Sequence, residues 1–114
     1  MHVSVVGNPD DTVVVSVRGN LDVDSVSVLT TTLNQVLDRE APRVVVDLSG
    51  VEFCDSTGLS EFVVGHNRAV ACGGWVRLAA PGEFLARLLD TVGLTPALQV
   101  YADVADALVD RPAY

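Results

Sequence analysis

The chain contains no lysine: its seven basic residues are all arginine, against 15 Asp and Glu, for a formal net charge of −8. Without a lysine amine there is no Schiff-base chemistry and no lysine-dependent phosphate loop. An acidic surface repels phosphate backbones and anionic headgroups, so neither nucleic acid nor a membrane surface is expected as a partner. Cysteine is confined to Cys54 and Cys72, each inside an apolar segment. Two cysteines make no disulfide framework, and buried free thiols are the expectation for both. The histidines are His2 and His66; His66 and Cys72 fall on different faces of one helix, and no paired-ligand spacing supports a metal site. Aromatic residues make up 5% of the chain and no glycine-rich phosphate loop occurs, so no cofactor is expected. No apolar run approaches the roughly 20 residues that span a bilayer. The start, Met1-His2-Val3-Ser4, lacks the basic-then-apolar character of a signal peptide, which makes the cytoplasm the expected location.

What is present is ample material for one core. The chain has 114 residues, 49% of them hydrophobic, and a single domain over residues 1–114 is expected. Valine-rich segments at Val3–Val6 and Thr12–Arg18 flank a turn-forming cluster, Gly7-Asn8-Pro9-Asp10-Asp11, and predict a starting β-hairpin. Gly19-Asn20-Leu21-Asp22 is expected to break the second strand. Val26, Leu29, Leu33, Val36 and Leu37 recur at helical spacing, with Asp22 or Asp24 placed to cap the helix and Pro42 to stop it. Arg43–Leu48 reads as a short strand covered on both faces. A second helix should start near Ser56, with Leu59, Phe62, Val63 and Val70 inward and Gly73-Gly74 as its end.

Trp75–Ala79 reads as a further strand. Pro81 and Gly82 open a helix whose core face is Phe84, Leu85, Leu88, Leu89 and Val92, stopped by Gly93. A weak strand at Leu98–Tyr101 and a short helix at Asp103–Val109, ended by Pro112, complete the order β-β-α-β-α-β-α-β-α. Such alternation implies an α/β domain with a largely parallel sheet and right-handed crossovers. Asp103, Asp106 and Asp110 then form a solvated acidic stripe on the last helix.

The chemistry is concentrated where the buried strand runs through Ser49-Gly50-Val51-Glu52-Phe53-Cys54 into Asp55-Ser56-Thr57-Gly58. In open α/β sheets, function gathers in loops beyond the carboxyl ends of the strands. Ser56 falls at or next to a helix N-cap, where unpaired amides and the helix dipole favour negative charge. A phosphate there would add about −1.5 to −2 charge without unfolding the domain. Asp55 is placed to hydrogen-bond the loop backbone, and Gly58 to turn the chain tightly and leave the serine uncovered.

The stretch Asp47-Leu48-Ser49-Gly50-Val51-Glu52-Phe53-Cys54-Asp55-Ser56-Thr57-Gly58-Leu59 resembles the signature of the STAS family, specifically its anti-sigma-factor antagonists. The strand Val13–Arg18 followed by Gly19-Asn20-Leu21-Asp22, and the later Gly73-Gly74 and Val92-Gly93-Leu94, are similar to family features in the same order. The resemblance implies a four- or five-stranded mixed sheet with a starting hairpin and helices mostly on one side. It implies partner switching as well: the unphosphorylated antagonist binds an anti-sigma factor that is itself a serine kinase of the histidine-kinase-like ATPase type. Binding frees a sigma factor, phosphorylation reverses it, and a serine phosphatase restores the active form. By position, Ser56 is the implied phosphoacceptor, with Asp55 shaping the site and Thr57 the adjacent hydroxyl. Gly58 and Leu59 begin the contact helix, exposed Ser60 touches the partner, and Asp22 contributes from the neighbouring loop. Family members often carry glycine after the Gly-Leu pair, whereas Ser60-Glu61 stand here, a departure that bears on partner choice.

Other functions fit less well. A serine hydrolase needs a base beside Ser56, but His66 lies ten positions along the same helix, about 15 Å away at the standard rise. No Gly-x-Ser-x-Gly elbow surrounds the serine, and no enzymatic activity is expected. A phospho-aspartate receiver needs an acidic pair after its first strand and a lysine; here Asp10-Asp11 stands in a turn, and Asp47 is expected to hydrogen-bond at a strand end. The remaining alternative is a STAS-type regulatory or scaffold module with a non-sigma target.

Overall fold

Consecutive valines, Val13–Val15 and Val44–Val46, build the centre of the sheet, because β-branched side chains suit a pleated surface covered on both sides. A computed structural model describes residues 1–8, 10–91 and 98–110. Five strands, β1 (His2–Gly7), β2 (Val13–Leu21), β3 (Arg43–Cys54), β4 (Trp75–Ala79) and β5 (Gln99–Tyr101), lie side by side in chain order. The β1–β2 hairpin is antiparallel and the other three pairings are parallel, which makes the sheet mixed. Helices α1 (Val26–Leu37), α2 (Ser56–Ala71), α3 (Glu83–Thr91) and α4 (Val104–Leu108) connect and close the strands.

Side chains on the two sheet faces separate as strand alternation demands. Val13, Val15 and Val17 of β2, Val44, Val46 and Leu48 of β3, and Val76 and Leu78 of β4 pack into one core. Its other wall is Leu29 and Leu33 of α1, Leu59 and Phe62 of α2, and Leu85 and Leu89 of α3. On the opposite face Val45, Ala79 and Tyr101 meet Ala107 of α4. Three helices thus cover one face and the short α4 part of the other. Arg77 runs along that second face, with its guanidinium 3.6 Å from the Trp75 ring centre and 3.7 Å from Asp110. Asp110 also accepts the Tyr101 hydroxyl while its side chain stays 56% exposed, so this end of the acidic stripe is both solvated and anchored. Asp103 caps α4, its carboxylate accepting from the Asp106 N–H at 2.8 Å.

Several boundaries differ from the sequence expectation. The segment Gly19-Asn20-Leu21 does not break β2: Gly19 adopts φ 99° within the strand, and pairing continues to Leu21 opposite Cys54. Likewise β3 does not stop at Leu48 but runs six residues further, to Cys54. Two register shifts against β2 absorb the extra residues as bulges, which is how a polar Ser49-Gly50 stretch is accommodated in a strand. Asp47 therefore lies inside the strand, accepting from the Ser49 N–H at 3.0 Å. Helix α1 ends at Leu37, ahead of Pro42, and its N-cap is Ser25. Val70 is exposed, because Gly58, Leu59, Phe62, Gly65 and Ala69 form the inward stripe of α2. Phe84 is exposed too, and Cys72 is an exposed thiol where a buried one was expected. Gly73, at φ 82°, ends α2 as anticipated. The expectations for Pro9, Val92, Gly93, Leu94 and Pro112 lie outside the described residues.

Candidate functional site

Because β2, β3 and β4 run parallel, the loops leaving their carboxyl ends emerge at one edge of the sheet. Cys54, the last residue of β3, pairs with Leu21, the last of β2, and the Asp55 N–H donates to the Leu21 carbonyl at 3.1 Å. That bond sets the Asp22 turn beside the Asp55-Ser56 junction. Asp55 has an extended backbone, φ −101° and ψ −176°, and caps α2. Its Oδ1 accepts from the N–H groups of Thr57 at 3.0 Å and Gly58 at 3.1 Å, and its carbonyl accepts from Leu59 N–H at 3.1 Å. A side-chain carboxylate thereby satisfies two of the amides that a helix start leaves open.

Ser56 is consequently the first residue of α2, exposed, and its hydroxyl has no hydrogen-bond partner among the described residues. The Ser56 carbonyl is engaged, accepting from Ser60 Oγ at 2.8 Å one turn on. Asp22 arranges the pre-helical turn of α1 in place of capping the helix itself. Its Oδ1 accepts from the N–H groups of Asp24 and Ser25, each at 3.1 Å, while Ser25 Oγ donates to Asn20 O at 2.7 Å.

The expected site residues divide into two groups. Ser56 and Ser60 are exposed, and Asp22, Asp55 and Thr57 are half-buried along the same edge. Gly58 and Leu59 are buried and offer no surface to a partner. Gly58 does not serve a tight turn either. A Cβ at that position would sit 2.6 Å from Leu21 Cγ and 3.0 Å from Cys54 Sγ, so the missing side chain lets the first turn of α2 settle onto the strand ends. Below it Cys54 is 1% exposed, and burial, helped by the Asp55 charge, pushes its thiol pKa up to about 11. The thiol is therefore protonated and unreactive at neutral pH.

His66 is half-buried, with Nδ1 3.2 Å from the Val76 carbonyl of β4, so its ring is held against the sheet. Among the described residues no group of His, Cys, Asp and Glu could hold a metal ion, and no helix is long and apolar enough to cross a membrane. Sequence reasoning missed Phe53 and Phe84, exposed rings that lie next to this edge. Only their proximity across β3 and α3 marks them, and that is not visible in linear spacing.

Comparison with known proteins fits this architecture. The family profile described as "Mlab, STAS domain" matches residues 4–100. The chain is 32% identical over 102 residues to the anti-sigma-B factor antagonist of Bacillus subtilis, covering 90% of this chain and 92% of that one. A crystal structure of an anti-sigma factor antagonist from Mycobacterium paratuberculosis superposes with a TM-score of 0.84 at 27% identity, covering 96% of this chain and 93% of that one. The Bacillus cell fate determinant SpoIIAA in its phosphorylated form shares the fold, with a TM-score of 0.71, 19% identity and coverage of 96% and 98%.

Proposed function

The chain belongs to the STAS domain family, and we propose that within it this protein is an anti-sigma-factor antagonist switched by phosphorylation of Ser56. In its unphosphorylated form it docks on an anti-sigma factor that is a serine kinase of the histidine-kinase-like ATPase type, and so frees a sigma factor in the cytoplasm. The kinase transfers the γ-phosphoryl group of ATP to Ser56 Oγ, releasing ADP and the hydroxyl proton. A serine phosphatase reverses the step by hydrolysis. The protein is substrate and ligand here, with no catalytic role of its own.

The observation that carries this reading is the free, exposed hydroxyl of Ser56 on the first residue of α2, beside an Asp55 carboxylate fixed by two backbone amides. The similarity to named antagonists supports the partner class, and the existence of a phosphorylated SpoIIAA supports the type of modification. A phosphate dianion buried in an interface without a prepared cation costs several kcal/mol. At about 1.4 kcal/mol per tenfold change in Kd, that abolishes a micromolar complex.

The test is affinity capture from native-host lysate with ADP present, using wild type, Ser56→Ala and Ser56→Asp as baits. The expected result is a histidine-kinase-like ATPase held by wild type and Ser56→Ala and missing from Ser56→Asp. Identical partners on all three baits would reduce Ser56 to a helix-start residue and leave a STAS-type module with a non-sigma target.

A further inference from the structure

Aromatic side chains are scarce in this protein, and their distribution is uneven. Of its three phenylalanines, Phe62 is fully buried, whereas Phe53 and Phe84 are 45% and 54% exposed. Tyr101 is buried and Trp75 is covered by the Arg77 guanidinium, so the exposed rings among the described residues are these two. They are stacked on each other, with centroids 6.3 Å apart and planes inclined by 23°. Phe53 follows the second bulge of β3, opposite Asn20, and bulges re-aim side chains at sheet edges. Phe84 lies in the first turn of α3, one residue before Leu85, which faces the core.

Between the end of β3 and the start of α3 is a cavity of about 130 Å³, lined by Val51, Phe53, Cys54, Gly82, Phe84 and Leu85. A cavity of about 150 Å³ holds a benzene molecule, so the space suits one aromatic or branched aliphatic side chain. Glu52 and Glu83 form its exposed rim, on a chain whose net charge is −8. Phe53 stands three residues before Ser56, which limits their separation to about 10 Å of extended chain. A standard interface of about 800 Å² per partner covers both.

We infer that Phe53 and Phe84 form an aromatic clamp that receives one large apolar side chain, carried on a basic segment of the same kinase that docks at Ser56. The inference rests on the partner-switching reading above. Complementary charge comes from Glu52, Glu83 being already paired with Arg87 at 3.1 Å, and affinity from the clamp, since buried aromatic anchors beside a pocket dominate interface energetics.

The ATPase retained by wild type in the capture is purified and titrated calorimetrically, with ADP, against Phe53→Thr, Phe84→Gln and Ser56→Asp. Threonine suits a strand and glutamine a helix, and circular dichroism melting of each free variant separates misfolding from lost contact. Either clamp variant should weaken binding at least ~10-fold, with its melting cooperative and near wild type. Glu52→Gln should weaken it less and flatten its salt dependence. Ser56→Asp losing affinity while both clamp variants bind within threefold of wild type would overturn the clamp and leave the switch standing. No ATPase on the wild-type bait, or one indifferent to Ser56→Asp, would remove both.

Discussion

Helix α2 contains two glycines that should respond in opposite directions to the same substitution. At Gly58 an added Cβ would meet Leu21 Cγ at 2.6 Å, Leu21 Cδ2 at 2.8 Å and Cys54 Sγ at 3.0 Å. Leu21 and Cys54 are 0% and 1% exposed, so neither can swing aside without moving its neighbours. Overpacking of this kind costs about 1–3 kcal/mol, and the contact distances put Gly58→Ala near the upper end. Replacing a helical glycine by alanine returns at most about 1 kcal/mol, less in a first turn than in an interior. The net expectation is a loss of about 2 kcal/mol.

At Gly65 the added Cβ would instead lie 3.6 Å from the terminal methyls of Leu33 and Leu37, an ordinary contact. Gly65→Ala should therefore stabilise the protein by up to about 1 kcal/mol. For a domain of this length each kcal/mol moves Tm by about 4 °C, so the two variants should separate by roughly 12 °C. Urea unfolding with unchanged m-values is the check. A Gly58→Ala protein as stable as wild type, or two shifts of the same sign, would refute the proposed settling of α2 onto the ends of β2 and β3.

Two further outcomes follow from the same edge. Asp55→Ala removes the acceptor of the Thr57 and Gly58 N–H groups and should cost about 1 kcal/mol in urea unfolding, whereas Asp55→Asn keeps a good cap and should lose only a few tenths. With Cys72 exposed and Cys54 buried at a pKa of about 11, a disulfide-exchange reagent at pH 8 should label one thiol rapidly in the native protein and both in 6 M urea; rapid labelling of Cys54 would contradict its burial.

The parts of the fold legible in the sequence were those governed by local periodicity. Valine-rich runs around a turn-forming cluster announced β1 and β2, the Leu29, Leu33 and Leu37 spacing announced α1, and the Asp55-Ser56-Thr57-Gly58 run before an apolar stripe announced a helix start. What stayed hidden depends on partners distant in the chain. Ser49-Gly50 resembles a loop, and only the bulged pairing of Gly50 with Arg18 and Val51 with Gly19 keeps it in β3. Gly58 resembles a turn glycine, and only Leu21, 37 positions earlier, gives the reason for its missing side chain. Phe84 fits the apolar stripe of α3 by spacing, yet it lies about 100° around the helix from Leu85 and falls outside the buried arc. The Asp55-Ser56 junction was legible because capping is local; Gly58 and Leu59 were assigned to a contact surface because inward and outward positions of α2 are set by tertiary packing.

On the proposed function, the same capping determines what kind of switch Ser56 would be. Phosphates at helix starts are ordinarily held by free backbone amides. Here the Asp55 carboxylate already occupies the amides of Thr57 and Gly58, so a phosphoryl group on Ser56 finds no prepared cradle within its own chain. It stays in water, next to the fixed charge of Asp55, on an edge that also carries Asp22. Nothing in that arrangement calls for the domain to refold, and the favourable helix dipole, about 0.3–1 kcal/mol, is offset by repulsion from the neighbouring carboxylate. On the proposed function the modification would therefore act when the partner arrives and water must leave. Phosphoserine brings about −1.5 to −2 charge and an aspartate brings −1, so the desolvation penalty is graded. Kinase affinity should fall in the order wild type, Ser56→Asp, phosphorylated wild type, while the melting temperatures of the three free proteins stay within about 4 °C, the equivalent of about 1 kcal/mol. A phosphorylated chain whose Tm shifts by more than twice that amount would place the switch in the fold and not at the interface.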